Sequence, residues 1–189
     1  MTLHSNDFAR TELLEHAMYC YDGCDRCRIA TEEEQHEMSL FRIAVQEAQA
    51  SCEAMRRFPK VCVYCGAYAT DKDHLLPLPW TGKAVRYITP TVPSCSSCNT
   101  LLGSVVEPRI QQRAFLVFAT LEQRNRKLIS RMGKVDLDGL EGYLWQRIEA
   151  RRNEGNHILA RLRVLGLGGF TELDEEEKLA ILYDGLGEL

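Results

Sequence analysis

Apolar residues recur at helical spacing along most of this chain, and residues 60–99 largely lack that period. The first long segment opens with Thr31 and Glu34, whose spacing is typical of a capping box at a helix N-terminus. Pro59 cannot continue a helix, so the pattern predicts a helix that ends at about Phe58. Six apolar positions inside it follow a 3-4-3-4-3 spacing: Met38, Phe41, Val45, Ala48, Cys52 and Met55.

This apolar seam spans fewer heptads than a coiled coil needs, so we favour a helix packed on its own domain. A homodimer through the 31–58 helix is the alternative. Both interpretations place Cys52 on a buried face. Trp145, in a later helical pattern, is also expected in the core.

Further helices are predicted before and after this one. Residues 8–20 are weakly amphipathic, and Pro108 and Gly133 suit the first turn and the C′ position of one long helix. Two more helical patterns cover residues 140–165 and 174–182.

The 108–133 helix has an apolar face with a basic stripe beside it. The apolar face consists of Ile110, Ala114, Val117, Phe118, Leu121, Leu128 and Met132. The stripe consists of Arg109, Arg113, Arg124, Lys127 and Arg131. It is either an ordinary solvated face or a surface that contacts nucleic-acid phosphates.

Charge is unevenly distributed along the 189 residues, although the net charge is only −4. Residues 60–135 hold eleven basic and four acidic side chains, whereas the segments on either side are acidic. A basic centre between acidic flanks favours a localised anionic partner such as DNA, and leaves the acidic termini for a protein partner. The chain has no signal-peptide pattern and no apolar run near the roughly 18 residues of a membrane span, so we expect a cytoplasmic protein without membrane contact.

Two Cys-x-x-Cys pairs, "CVYC" and "CSSC", carry the clearest chemical signal. Cys62 with Cys65 and Cys95 with Cys98 offer four thiolates, which is the tetrahedral ligand set of structural zinc. In a reducing compartment, metal ligation is favoured over disulfides. A redox role is weaker, because a thioredoxin-like site uses one such pair between a strand and a helix.

A second set of metal-ligand residues, His16, Cys20, Cys24 and Cys27, lies near the N-terminus. Their spacing is close to helical, and on one straight helix they could not all reach one ion. We therefore favour partly buried cysteines without a metal here. The alternative is a metal site, which would require the helix to break at Gly23 so that all four residues reach one ion.

Between and just after the Cys pairs lie Asp73, His74 and Asn99. A carboxylate and an amide carbonyl suit a hard cation such as Mg²⁺ or Mn²⁺, and an imidazole suits a general base near pH 7. If Asp73 and Asn99 hold the cation, His74 can activate water against a phosphate.

The pattern "CVYCG…TDKDHLLPL…VPSCSSCN" resembles the zinc-stapled form of the HNH nuclease family. The resemblance covers about residues 60–103 and rests on Cys62, Cys65, Gly66, Asp73, His74, Pro77, Cys95, Cys98 and Asn99. It implies a ββα-metal finger in which His74 is the general base and Asp73 and Asn99 hold the catalytic ion. The sequence departs from the family where Pro90 replaces an Asn that steadies the loop holding the His.

We therefore predict a mostly helical α+β protein with three parts: an N-terminal helical segment (1–59), a zinc-stapled HNH module (60–106) and a C-terminal helical region (107–189). The predicted function is a metal-dependent DNA endonuclease with a structural zinc and a catalytic Mg²⁺ or Mn²⁺. The alternative is a catalytically weak or inactive module that binds DNA or a protein partner.

Overall fold

The computed structural model describes residues 12–14, 16–17, 20, 24–77, 90–131 and 142–183. Residues 12–14 and 16–17 are helical. The elements that follow are α1 (Asp25–Ile29), α2 (Glu32–Ala54), β1 (Asp71–His74), β2 (Thr91–Ser94), α3 (Ser96–Leu102), α4 (Ile110–Ile129), α5 (Gly142–Gly166), a 3₁₀ turn (Phe170–Glu172) and α6 (Glu175–Ile181). The described chain is thus mostly helical with a two-stranded antiparallel sheet, as the α+β prediction required.

Helix α2 begins where the sequence predicts. Thr31 Oγ1 accepts from the Glu34 backbone N–H at 3.2 Å, and the Thr31 N–H donates to Glu34 Oε2 at 2.7 Å, which confirms the capping box. The apolar seam packs largely inside this chain, since Met38, Phe41 and Met55 are buried. The expectation for Cys52 was wrong: it is exposed.

Helix α4 begins at Ile110, two residues after Pro108, and its N-cap Arg109 makes no side-chain cap bond. The cap comes instead from α2, where Glu47 Oε2 accepts from the Ile110 N–H at 3.2 Å. Because exposed N–H groups at a helix start need an acceptor, this contact joins α4 to α2. Gly133, the predicted end of the helix, lies outside the described residues.

Helix α5 is continuous and packs against α4. Its buried apolar residues are in its last turns, at Leu162, Val164 and Leu165. Trp145, near its start, is 37% exposed, so the core position predicted for it was wrong. Helix α6 is capped by Asp174 with Glu177 in a second capping box.

Residues 60–69 form a short hairpin, called the Cys62 hairpin below, in which Val61 bridges to Tyr68. Its turn uses Gly66 at a φ of 78°, and a Cβ there would meet the Phe170 ring at 2.8 Å. The Val63 N–H donates to Pro93 O at 3.1 Å, which attaches the hairpin to β2. The backbone of the hairpin also accepts from the Phe170 N–H, so residues after α5 close over it.

The sheet and the helix after it form a strand–strand–helix unit. In the β1–β2 ladder, Asp73 lies opposite Val92 and His74 opposite Thr91. Helix α3 follows β2 after a single residue and packs against β1. Buried residues from all three predicted segments of the chain belong to one hydrophobic cluster, so the segments share a core. None of the described helices combines the length and the apolar composition needed to cross a membrane.

Candidate metal centre

Four buried cysteines meet where the Cys62 hairpin approaches α3. Cys62 and Cys65 come from the hairpin turn, and Cys95 and Cys98 from the start of α3. Their four sulfur atoms lie within 4.8 Å of one another. This cluster could hold a metal ion such as zinc, as the paired spacing predicted.

The sulfur spacing can be compared with a tetrahedral zinc shell. With Zn–S bonds of about 2.3 Å, neighbouring sulfurs at the tetrahedral angle are about 3.8 Å apart. Cys65 Sγ lies 3.7 Å from Cys95 Sγ, which matches that edge and is far longer than a disulfide bond of about 2.05 Å. The donor set and its spacing therefore fit zinc.

Backbone geometry aims Cys95 at this centre. Cys95 is the N-cap of α3, and the Cys98 N–H donates to its sulfur at 3.4 Å. Burial raises the pKa of the Cys62 thiol, whereas hydrogen bonds from Cys62 and Cys65 lower the pKa of Cys95. A coordinating metal deprotonates thiols outright, so the four thiolates would carry four negative charges. Zinc offsets two of them with its two positive charges.

Arg161 of α5 supplies positive charge beside the four cysteines. Its Nη2 lies 3.5 Å from Cys98 Sγ, 3.9 Å from Cys95 Sγ and 3.1 Å from Ser97 Oγ. Burial alone would lower the pKa of Arg161, but the thiolates of Cys65, Cys98 and Cys95 raise it. Sequence reasoning missed this residue, because nothing in its local pattern distinguishes it from the exposed arginines of α5.

Asp73 is buried, 2% exposed, and its carboxylate forms an ion pair with Arg113 of α4. Arg113 Nη2 donates to Oδ1 at 2.9 Å and to Oδ2 at 2.8 Å, and its Nε donates to Oδ2 at 3.2 Å. The Tyr64 hydroxyl donates to Oδ2 at 2.5 Å. Burial and the Asp73 carboxylate raise the pKa of Tyr64 well above its usual value. Tyr64, which sits inside "CVYCG", was not singled out from the sequence.

Arg113 does not belong to the exposed basic stripe in which the sequence placed it. Its side chain is fully buried, and its Nη1 also donates to the backbone oxygens of Leu75, Val105 and Glu107. Burial alone would lower the pKa of Arg113, but Tyr64 and Asp73 raise it. The guanidinium is committed to the interior, so we remove Arg113 from the proposed phosphate-contacting set.

The other members of the stripe do face solvent. Arg109, Arg124, Lys127 and Arg131 are all exposed. Arg109 pairs with Glu107 at 3.6 Å, which reduces its availability to an anionic partner. The three remaining side chains lie toward the C-terminal end of α4 and just past it.

His74 and Asn99 are both half-buried, on two elements that pack together. His74 ends β1, and Asn99 follows Cys98 in α3. The Leu75 N–H donates to Pro90 O at 3.0 Å. Pro90 thus supports the loop after His74 through its carbonyl.

The donor types of Asp73 and Asn99 fit a hard divalent cation. Asp73 Oδ2 accepts from three donors, whereas among the described residues Oδ1 accepts only from Arg113 and so keeps an acceptor position. Carboxylates that bind metals are commonly hydrogen-bonded in this way by outer residues. The positive charge of Arg113 acts against a second cation, which lowers the affinity expected of such a site.

The N-terminal set of ligand residues is also brought together, which a single straight helix would not allow. His16, Cys20, Cys24 and Cys27 place their ligand atoms within 4.8 Å of one another and are half-buried. The helical argument failed because the four residues do not share one helix. His16 is in the first helical stretch, whereas Cys24 caps α1.

Comparison with known proteins gives no relative. No protein-family model, no curated protein and no solved structure matches this chain.

Replacing Arg113 tests the buried ion pair. We expect Arg113→Met to lower the free energy of unfolding by about 3–5 kcal/mol, because it leaves the Asp73 carboxylate buried without its cation. The measurement is denaturant unfolding followed by circular dichroism with zinc present. Arg124→Met, an exposed position on the same helix, is the matched control and should change stability by about 0.5 kcal/mol or less.

The double variant Asp73→Asn with Arg113→Met should recover part of the loss, because the unpaired charge is removed as well. Equal destabilisation by Arg113→Met and Arg124→Met would show that the pair does not support the fold.

Proposed function

We propose that this chain is a zinc-stabilised, metal-dependent endonuclease of the HNH type that hydrolyses phosphodiester bonds in DNA. One observation carries the proposal: the four-cysteine cluster joins the segments around β1 and α3, and these two elements bear His74 with Asp73 and Asn99. A four-thiolate zinc is coordinatively closed, so it would hold the module together without reacting. Chemistry would then fall to the three polar residues.

His74 is the proposed general base. A neutral imidazole near pH 7 can take a proton from water as the water oxygen bonds to phosphorus. The bond between phosphorus and the leaving sugar oxygen breaks, and that oxygen takes a proton from solvent. Asp73 and Asn99 are the proposed ligands of Mg²⁺ or Mn²⁺, which when bound would offset the negative charge of the phosphate.

Arg113 and Tyr64 act as positioning residues in this proposal. Their bonds to Asp73 fix the orientation of its carboxylate. Outer residues of this kind commonly set the orientation of the ligands they contact.

DNA binding is assigned to the exposed part of the basic stripe. Arg124, Lys127 and Arg131 are solvent-facing and lie near the C-terminal end of α4 and just past it. Contacts between such side chains and phosphates supply affinity without reading sequence.

The second candidate is a module that binds DNA or a protein partner without turnover. Two observations favour it: the Asp73 carboxylate is already engaged by Arg113, and Pro90 stands where the family has an Asn. We rank it below the nuclease because binding alone gives no reason for an Asp, a His and an Asn on two elements that pack together.

A plasmid cleavage assay tests the proposal. Purified protein should nick or cut supercoiled DNA with Mg²⁺ or Mn²⁺, and cleavage should stop in EDTA while zinc analysis shows that the structural metal is retained. His74→Ala should slow cleavage by at least about 100-fold, the usual contribution of a general base.

His36→Ala, an exposed histidine on α2, is the matched control and should cleave at the wild-type rate. No cleavage by the wild-type protein in either metal, with zinc bound and the fold intact, would contradict the nuclease and favour the binding module.

Salt dependence tests the stripe independently of catalysis. We expect DNA binding to weaken steeply with salt. The triple variant Arg124→Gln, Lys127→Gln and Arg131→Gln should reduce the slope of log K against log salt by about 2.7 on duplex DNA. Fluorescence anisotropy with labelled DNA measures this slope.

The control removes the same number of charges from α5, at Arg147, Arg151 and Arg152, which are all exposed. If both triple variants reduce the slope equally, the stripe has no specific role in binding.

A further inference from the structure

A second cluster of ligand atoms, distinct from the four-cysteine centre, lies beside α2. Cys24 Sγ and Cys27 Sγ lie 3.2 Å and 3.5 Å from His16 Nε2. Cys20 Sγ lies 3.7 Å from Cys27 Sγ. Three thiols and one imidazole nitrogen thus converge on a common point, which is one of the ligand sets of structural zinc.

These distances agree with a tetrahedral zinc shell. Zn–S bonds of about 2.3 Å and Zn–N bonds of about 2.0 Å imply S···S edges of about 3.8 Å and N···S edges of about 3.5 Å. The Cys20–Cys27 sulfur distance of 3.7 Å and the Cys27–His16 distance of 3.5 Å match both edges. A disulfide would instead require one sulfur pair at about 2.05 Å and would give no role to the imidazole.

The cluster is built in the same way as the four-cysteine centre. Cys24 is the N-cap of α1, and the Cys27 N–H donates to its sulfur at 3.4 Å. Cys95 and Cys98 repeat this arrangement at the start of α3, with the same 3.4 Å distance. In both places the second pair of ligands comes from a separate stretch of chain.

Both clusters also have an arginine beside a thiol. Arg42 Nη2 lies 3.9 Å from Cys27 Sγ, and Arg161 Nη2 lies 3.9 Å from Cys95 Sγ. Arg42 further donates to the backbone oxygens of Ala17 and Cys20, both at 3.2 Å. Zinc with three thiolates carries one net negative charge, which a guanidinium at this position offsets.

The sequence between the ligands explains how the four atoms meet. The Cys20 N–H donates to His16 O at 2.9 Å, so these two ligands share one helical turn. Cys24 and Cys27 share the first turn of α1. Two short helical stretches, rather than the single straight helix implied by spacing, therefore present one pair of ligands each.

From this geometry we infer that His16, Cys20, Cys24 and Cys27 hold a second structural zinc, which fastens the first helical stretch to α1 beside Arg42 of α2. Four protein ligands close the coordination shell, so the ion stabilises and does not catalyse. A helix as short as α1 is not stable in isolation, and coordination of Cys24 and Cys27 by the ion would stabilise it. The segment also buries Leu13, Leu14 and Ala17 in the core. The inference does not depend on nuclease activity.

Zinc stoichiometry of the full chain is the test. Elemental analysis of protein purified without added metal and without chelator should give two zinc ions per chain. Cys24→Ser with Cys27→Ser should reduce this to one, and Cys52→Ser, the cysteine outside both clusters, should leave it at two.

Two further measurements keep the test decisive if the double variant folds poorly. His16→Cys should keep two zinc ions, because a fourth thiolate can replace the imidazole, whereas His16→Ala should weaken the second. Cobalt substitution of the wild-type protein should show thiolate charge-transfer absorption that saturates at two equivalents.

One zinc per chain in the wild-type protein, unchanged in the Cys24→Ser, Cys27→Ser variant, would overturn the inference. So would a Cys20–Cys27 disulfide, detected as two cysteines that resist alkylation until the protein is reduced.

Discussion

A buried ion pair between Asp73 and Arg113 holds together the interior of the segment from the Cys62 hairpin to α4. Both side chains are almost completely removed from water, and neither charge is tolerable there alone. Arg113 satisfies the carboxylate and also the backbone oxygens of His74 and Leu75, at the end of β1, and of Val105 and Glu107. The pair therefore fixes the strand end that carries His74 to the first turn of α4.

Two clusters of potential metal ligands accompany this ion pair. The four-cysteine cluster joins the Cys62 hairpin to α3, and the proposed N-terminal zinc joins the first helical stretch to α1, with Arg42 of α2 beside it. Seven of the eight cysteines in the sequence lie in these two clusters. Each cluster lies at the start of a short helix and beside an arginine. The same local arrangement of N-cap cysteine and neighbouring arginine therefore occurs twice in the chain.

The sequence predicts the features that depend on residues close together in the chain. It does not predict which side chains are buried by contacts between distant segments. The Thr31–Glu34 capping box and the paired cysteines depend on spacing of a few residues, and the structure contains both groupings. Arg113 lies at the edge of the apolar face of α4, and only the position of Asp73 determines that it is buried. Cys52 is exposed because the buried face at the end of α2 runs through Ser51 and Met55 and not through Cys52. Trp145 is exposed because the buried apolar residues of α5 lie in its last turns. The N-terminal ligand atoms converge because two short stretches present them, which the single straight helix implied by their spacing would not allow.

We propose that the Asp73 carboxylate binds Arg113 and a divalent ion at the same time. The most direct measurement is anomalous X-ray diffraction from crystals grown with Mn²⁺, with data collected at the zinc and manganese absorption edges. The account predicts a manganese peak bound by Asp73 Oδ1 and Asn99, with Arg113 still paired to the same carboxylate and zinc between the four cysteines. A zinc peak between the four cysteines without a manganese peak beside Asp73 would contradict the proposed catalytic site. The carboxylate would then be a purely structural partner of Arg113.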